Sequence, residues 1–120
     1  MDYNFNGENL SYSVEIVFSN PKYNLINTIV QLNNDDYIRN IILNIKKVLN
    51  NEIPKYSRMI NYTYIVVNKD KTIIGENIDG NNELSVDTTF LLKVFEDYIV
   101  ELDKKLSVFN DNSENSVKTI

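Results

Sequence analysis

The sequence predicts an α+β domain: a two-layer sandwich in which two helices cover one face of a mostly antiparallel, four-stranded sheet, in the order ββαββα. Two stretches, residues 36–51 and 85–106, repeat apolar residues every three to four positions, as amphipathic helices do. Two others, residues 10–18 and 59–74, are rich in β-branched and aromatic residues without that spacing, which is typical of strands. Because each predicted helix follows a pair of predicted strands, both helices can pack on one face of the sheet.

The first two strands are predicted on either side of a turn at Asn20-Pro21. Residues 1–9 are a polar lead-in, and residues 10–18 alternate between apolar and polar side chains, as a half-buried strand does. Proline fixes φ and disfavours helical backbone in the residue before it, which favours a turn here. The apolar run at residues 23–32 is interpreted as a second strand that pairs with the first, and a short helix is the alternative.

The first helix is predicted from about Asp36 to Asn51. Asn34 or Asp35 would cap its N-terminus, and two lysines near its other end complement the helix dipole. Pro54 prevents the helix from continuing. Its buried face would contain Ile38, Ile41, Ile42, Ile45, Val48 and Leu49.

The second half of the chain repeats the order of strand, strand and helix. Residues 59–68 and 72–74 are predicted to form a hairpin, because a β-branched and aromatic run is followed by a turn-like polar segment and a short apolar return. Gly75 and residues 79–82 indicate a bulge, a second turn or a loop before the next helix.

The second helix is predicted to begin at Ser85 or Asp87 and to end near Leu106. Residues 109–120 are polar and cannot bury enough apolar area to order themselves, so a flexible tail is predicted there. Residues 1–108 are then expected to form a single α+β domain. The apolar stripe of the second helix would contain Leu91, Val94, Phe95, Tyr98, Ile99, Leu102 and Leu106.

The composition argues against most enzyme chemistry. The chain has no cysteine and no histidine, which excludes thiolate catalysis and removes the commonest general base and zinc ligand. Three glycines are too few for a phosphate-binding loop, so no catalytic residue and no cofactor are predicted. No signal peptide or membrane-spanning run is recognised, and a cytoplasmic protein is expected.

Residues 79–87 place oxygen-bearing side chains at alternate positions, a pattern that resembles a calcium-binding loop. An EF-hand loop, however, needs glycine at its sixth position and glutamate at its twelfth. Those positions hold Leu84 and Phe90. Turn and capping chemistry explains the segment better, so no metal site is predicted.

The net charge of −5 lies entirely in the second half, where residues 61–120 carry eleven acidic and six basic side chains. The segment from Glu76 to Asp103 holds eight acids and one lysine, a net charge of −7. It is interpreted as a docking face for a basic protein, with a solvated face that only confers solubility as the alternative. Direct binding to duplex nucleic acid is disfavoured, and no membrane contact is expected. The candidate partner-binding acids are Glu76, Asp79, Glu83, Asp87, Glu96, Asp97, Glu101 and Asp103.

Tyr62 and Tyr64 complete the predicted partner-binding set. Alternation along a strand puts both tyrosines on one face of the sheet and Thr63 and Ile65 on the other. If the helices cover the threonine face, the tyrosines form an exposed aromatic patch suited to recognition. The alternative is that the tyrosines face the helices.

These observations predict a non-catalytic protein-binding module. The expected function is that of an acidic inhibitor or immunity protein, antitoxin-like or a phage antagonist, that docks on a basic enzyme such as a nuclease or toxin. The abundance of Asn, Ile and Lys, with no alanine, indicates an AT-rich bacterial or phage genome. The alternatives are a small-molecule or nucleotide-sequestering protein, with a pocket between sheet and helices or at the interface of a homodimer, and an oligomer built through exposed sheet edges.

Overall fold

Six strands and three α-helices form a two-layer α+β arrangement within residues 2–8, 13–60, 62–77 and 82–118, the part of the chain that a computed structural model describes. For Ile60 and residues 109–118 the description covers the backbone alone. A 3-10 turn at Pro21–Tyr23 precedes the first helix. The elements are β1 Tyr3–Asn6, β2 Glu15–Phe18, α1 Asn24–Leu32, α2 Asp35–Leu49, β3 Tyr56–Ile60, β4 Thr63–Val67, β5 Lys71–Glu76, β6 Asn82–Asp87 and α3 Thr88–Lys118.

A four-stranded antiparallel sheet, in the spatial order β3-β4-β5-β6, forms one layer. The predicted α+β class with a four-stranded antiparallel sheet is therefore confirmed. The origin of the strands is partly wrong, because all four lie between residues 56 and 87. Of the described residues 13–18 of the predicted first strand, only Glu15–Phe18 form a strand, which pairs with Tyr3–Asn6 in a separate hairpin. This N-terminal segment falls in the predicted polar lead-in, but Tyr3 and Phe5 pack against the core.

Residues 24–32 form helix α1, so the strand predicted over residues 23–32 is wrong and the short helix is correct. Asn20 accepts a hydrogen bond from the backbone N–H of Lys22 at 3.1 Å, and Pro21 takes the first position of the 3-10 turn. The Asn-Pro pair therefore starts helical backbone, as a capping residue followed by proline does. Helical spacing gathers the apolar side chains on one side, and the buried residues are Leu25, Ile26, Ile29 and Val30.

Helix α2 confirms the helix predicted from about residue 36 to 51. The side chain of Asn34 accepts a hydrogen bond from the backbone N–H of Tyr37 at 2.9 Å and caps the helix. Asn51, just beyond the C-terminus, has a φ of 61°. Asparagine tolerates this left-handed conformation, which turns the chain away from the helix axis.

The sheet is a meander of three antiparallel hairpin connections. The run predicted as one strand at residues 59–68 contains the end of β3, a turn and the whole of β4. Residues 82–87 form strand β6, whereas a loop and a helix start are predicted there. Gly75 lies in regular register between Tyr64 and Glu83, so it marks no bulge. Its role is a close approach, described below.

All three helices pack on the same face of the sheet, and one hydrophobic core lies between the layers. Alternation along the strands sends Ile65, Val67 and Ile74 toward the helices, where each is almost wholly buried. Phe95 of α3 is the largest fully buried side chain. The core residues contributed by the helices include Ile26, Ile29, Ile38, Ile41, Ile45, Val48, Leu91, Val94, Phe95 and Tyr98.

Helix α3 begins at Thr88, one residue after the later of the two predicted starts, and its backbone continues to Lys118. Leu102 is the last buried residue among its described side chains, and Leu106 packs partly against the core. The flexible tail at residues 109–120 and the single domain at residues 1–108 stay predictions. None of the helices in the described ranges is long and apolar enough to cross a bilayer.

The N-terminal hairpin is fastened to α3 by polar contacts. The Tyr3 hydroxyl donates a hydrogen bond to Oδ2 of Asp97 at 2.5 Å, and Lys93 Nζ lies 2.9 Å from the same oxygen. Burial and the hydrogen bond to Asp97 raise the pKa of Tyr3, while the bond from Tyr3 lowers the pKa of Asp97. Lys105 Nζ also donates to the carbonyl oxygen of Ser13 at 2.6 Å. These contacts hold the two ends of the domain together.

Candidate interaction surfaces

The acidic residues predicted to bind a partner do not share one face of the folded chain. Asp79 lies outside the described residues. Four of the others project from α3 and three from the strands β5 and β6. The α3 carboxylates are Glu96, Asp97, Glu101 and Asp103, and the strand carboxylates are Glu76, Glu83 and Asp87.

The α3 carboxylates lie along two borders of the helix. Each residue turns the helix by about 100°, so residues 96 and 103 share the border that faces α2. Glu96 pairs with Lys46 at 3.2 Å, and Asp103 pairs with Arg39 at 2.6 Å. These ion pairs connect α3 to α2 across the surface. They also neutralise locally the two carboxylates that a docking face would need as free charges.

Asp97 and Glu101 occupy the opposite border of α3, which faces the N-terminal hairpin. They pair with Lys93 at 2.9 Å and with Lys104 at 3.4 Å. The ridge between the two borders carries these lysines and Val100, whose side chain is 52% exposed. The structure therefore brings together Asp97 with Glu101, but it does not build a continuous acidic face along the helix.

The strand carboxylates lie at the β6 side of the sheet. Asp87 forms an ion pair with Lys71, its neighbour across the β5–β6 pair. Glu83 accepts a hydrogen bond from the Tyr64 hydroxyl at 2.6 Å. Glu76 lies opposite Asn82 at the same end of the sheet as Glu83. Neither Glu76 nor Glu83 takes part in an ion pair with a base among the described residues.

None of the described helices and strands covers the sheet face opposite the helices. Alternation places Met59, Tyr64, Val66 and Ile73 on this face, because their strand neighbours point into the core. Met59 is 65% exposed, and the other three are half-buried. Tyr64 therefore lies, half-buried, on the sheet face away from the helices.

Tyr64 is held over Gly75 on the neighbouring strand. A Cβ atom at position 75 would lie 2.2 Å from Cζ and from the hydroxyl oxygen of Tyr64, so only glycine leaves room for the ring in this position. The hydroxyl then reaches Glu83 on the next strand. This hydrogen bond raises the pKa of Tyr64. The ring thus spans three strands in one orientation.

We expect Gly75→Ala to displace the Tyr64 ring while the sheet stays folded. The colliding atoms are the far end of a side chain, so the ring can swing away, and it then loses the hydrogen bond to Glu83. The free energy of unfolding should change by less than about 1 kcal/mol. Alanine removes the backbone-entropy penalty of glycine in a strand, and this gain offsets the loss of the hydrogen bond. The pKa of Tyr64 should fall back toward its ordinary value of 10.0, measured by NMR titration of the tyrosine Cζ carbons.

The pH dependence of this contact has a defined sign. A raised folded-state pKa means that the Tyr64–Glu83 hydrogen bond is present below the ordinary tyrosine pKa of 10.0 and is lost as the pH rises through the folded-state value. Gly7→Ala is the matched control, because a Cβ there meets ordinary contacts at 3.6 Å. An unchanged Tyr64 pKa in Gly75→Ala would show that the ring is not held as described.

Tyr62 lies in the turn between β3 and β4, so the prediction that it shares a strand face with Tyr64 is wrong. Its φ of 71° is in the left-handed region, which is unfavourable for a bulky residue. Its side chain is 67% exposed, and its carbonyl oxygen accepts a hydrogen bond from the N–H of Asn77 at 2.7 Å. A strained, exposed aromatic residue at a hairpin tip is a feature more typical of recognition than of stability.

Met59 and Ile73 are surface residues that sequence reasoning missed. The register of β3 and β5 against β4 assigns both residues to the open face, because Met59 lies opposite Tyr64 and Ile73 lies opposite Val66. The available signal was the alternation of β4, whose β-branched residues Thr63, Ile65 and Val67 mark the buried side. Together these features define the open-face patch: Met59, Tyr62, Tyr64, Val66 and Ile73.

The described side chains offer no group of three or more acidic residues arranged to hold a metal ion. The small-molecule alternative calls for a pocket between sheet and helices, and the cavity there, lined by Ile29, Ile41 and Ile65 among others, has a volume of about 10 Å³. That volume is close to the minimum for a single water molecule. Larger depressions lie at the surface, two of them beside β6.

No family model, curated protein or solved structure matches this chain. The functional argument therefore rests on the geometry of the surfaces.

Proposed function

We propose that this protein is a non-catalytic protein-binding module, an acidic inhibitor or immunity protein of the antitoxin-like or phage-antagonist kind, that docks on a basic enzyme such as a nuclease or toxin in the cytoplasm. The open-face patch is the docking surface. The observation that carries the proposal is the exposure of large side chains on and beside the uncovered sheet face, 65% for Met59 and 67% for Tyr62.

The residue types of the patch support this proposal. Tyrosine and methionine are enriched at protein interfaces, and tyrosine is common among the few residues that dominate binding energy. Tyr64 is already fixed by Gly75 and Glu83, so binding would cost little side-chain entropy. The patch is thus composed of anchor residues, one of which is preorganised.

Charge supports a basic partner. Glu83 borders the patch through its contact with Tyr64, and the whole chain carries a net charge of −5. Complementary charge accelerates encounter and selects against acidic partners, and its effect weakens as salt screens it. The α3 carboxylates contribute to this long-range field, although each is paired locally.

The test is a comparison of binding by the wild type and by the Tyr62→Ala/Tyr64→Ala variant. A partner captured by the immobilised wild-type protein is identified, purified and titrated by calorimetry at low and high salt. We expect the double variant to bind at least about tenfold more weakly, because truncating an interface tyrosine commonly costs more than about 1 kcal/mol. Affinity should also fall as salt is raised.

Leu43→Ala is the matched control, because Leu43 is 51% exposed on α2, away from the sheet. Binding should be unchanged in this variant. A partner that binds the tyrosine variant as tightly as the wild type, or an affinity that ignores salt, contradicts the proposal. Sedimentation at several concentrations distinguishes a heterologous partner from a homodimer on the same patch. A metabolite library in a thermal-shift assay tests the sequestering alternative.

A further inference from the structure

Strand β6 is an edge strand with a free row of backbone groups. The N–H of Thr88 bonds to the carbonyl oxygen of Asp70 at 3.0 Å, directly beyond the last β5–β6 pair. Hydrogen-bonded pairs alternate in an antiparallel ladder, so Leu84 and Val86 point their backbone groups at β5. Glu83, Ser85 and Asp87 must then direct their N–H and C=O groups outward. No backbone hydrogen bond to these groups is found within the described residues.

A groove runs along this free edge. One wall is β6, and the other is the 3-10 turn with the start of α1. Two depressions of about 420 and 220 Å³ make up the groove, and both are lined by Lys22 and Ser85. Three outward-facing residues on β6 span about 14 Å. The groove therefore has the length of a short extended segment of four to five residues.

The two ends of the groove differ in charge. Glu76 and Glu83 line the larger depression, and among the described residues that line it Lys22 is the basic one. At the other end Lys71 and Asp87 neutralise each other. A segment seated in the groove would thus meet an excess of negative charge at the Glu76 end. That excess favours a basic side chain there.

A second copy of this chain fits the edge poorly in the register centred on Ser85. Antiparallel pairing of two β6 strands about Ser85 would place Glu83 of each copy opposite Asp87 of the other. Like charges directly opposite each other destabilise a strand pair. The same edge pairs favourably with a strand that brings lysine or arginine to the Glu83 position, so charge selects a different chain.

We infer that the β6 edge binds an extended peptide segment of a partner protein, which adds a fifth strand to the sheet and places a basic side chain at the end of the groove that Glu76 and Glu83 line. Backbone hydrogen bonds to Glu83, Ser85 and Asp87 hold the segment, and the carboxylates select its charge. This site uses the edge of the sheet and does not rest on the open-face patch, although Glu83 belongs to the site and also contacts Tyr64 of the patch.

The test uses an acetylated, amidated heptapeptide, Lys-Val-Thr-Val-Thr-Val-Lys, and the same peptide with both lysines replaced by glutamate. Each is titrated to millimolar concentration into the ¹⁵N-labelled full chain, and amide shifts are followed by NMR. The lysine peptide should shift the amides of Glu83, Ser85 and Asp87 first, and the glutamate peptide should bind more weakly.

Ser85→Pro removes one outward N–H and leaves the β5–β6 bonds of Leu84 and Val86 in place, a change that edge strands tolerate. Affinity for the lysine peptide should fall about tenfold. Ser57→Pro is the matched control, because Ser57 points its N–H outward from the other edge strand, β3. Glu76→Gln, which leaves the backbone intact, should weaken binding of the lysine peptide by about threefold and strengthen binding of the glutamate peptide.

Amide shifts confined to the β6 edge, together with the reduced affinity of both variants for the lysine peptide, support the inference. Shifts centred on β3 or on the open-face patch, equal binding of the two peptides, or no shift at millimolar peptide would overturn it. Concentration-dependent shifts of the same amides without peptide would assign the edge to self-association instead. If Ser85→Pro loses its dispersed spectrum, the Glu76→Gln titration decides.

Discussion

Replacing Phe95 with alanine is expected to lower the free energy of unfolding by about 3–5 kcal/mol, the range for phenylalanine removed from a packed core. Phe95 is the largest of the fully buried side chains of the core. It lies on the inner face of α3, beside the core residues of the same stripe, Leu91 and Val94. The whole free energy of unfolding of a domain is only about 5–15 kcal/mol, so the variant should lose a large fraction of its stability.

Urea denaturation followed by circular dichroism measures this effect. Val100→Ala is the control on the same helix, because Val100 is 52% exposed and its truncation should change stability by less than about 0.5 kcal/mol. If Phe95→Ala costs less than about 2 kcal/mol, the neighbouring side chains close the cavity. The core between α3 and the sheet would then be less tightly packed than described.

Replacing Thr88 with valine is expected to cost about 2 kcal/mol, because it breaks a buried hydroxyl pair without creating a cavity. The Thr88 hydroxyl donates to the carbonyl oxygen of Asn68 at 2.5 Å and lies 2.8 Å from the hydroxyl of Thr72. Since Thr88 already donates to Asn68, Thr72 donates to Thr88. Both threonine side chains are wholly buried. Valine at position 88 would leave the Thr72 hydroxyl in the core without an acceptor.

A double-mutant cycle isolates this pair. Thr72→Val alone should cost about 1 kcal/mol, because the Thr88 hydroxyl keeps its bond to Asn68. The Thr72→Val/Thr88→Val variant should be more stable than the sum of the two single losses implies. In the double variant the Thr72 hydroxyl is absent, so no buried hydroxyl donor is left without an acceptor. Strict additivity in chemical denaturation would show that the two hydroxyls do not act together.

The class of fold was readable from the sequence because the strongest periodic signals, α2 and α3, lie where predicted. The failures occur in short segments. Residues 24–32 contain β-branched residues in a run short enough for a strand, and only Asn20-Pro21, a capping pair as well as a turn pair, indicates a helix start. Strand β6 shows alternation at Leu84 and Val86, but its polar residues also suit a loop. Tertiary pairing resolves such ambiguities, and local sequence does not.

The candidate surfaces were less predictable than the fold. Counting carboxylates correctly finds an acidic segment, but it does not show which of its carboxylates form ion pairs. Lys46 and Arg39 pair with carboxylates of α3 from a helix that is far away in sequence. The position of Tyr64 depends on which strand face the helices cover, and its orientation depends on Gly75 across the sheet. Neither relation is local. The free edge of β6 could not be anticipated, because the sequence predicts a loop and a helix start over residues 82–87 instead of a strand.

The contacts between the N-terminal hairpin and α3 have a consequence for how the chain folds. Tyr3 and Asp97 are 94 positions apart, and Ser13 and Lys105 are 92 apart. Each strand of the meander, by contrast, pairs with its neighbour in sequence. Closing a long loop costs more entropy than closing a hairpin, so the meander can assemble early and the chain ends meet late. Partial unfolding should begin at those ends, and both candidate surfaces would stay with the part that opens last.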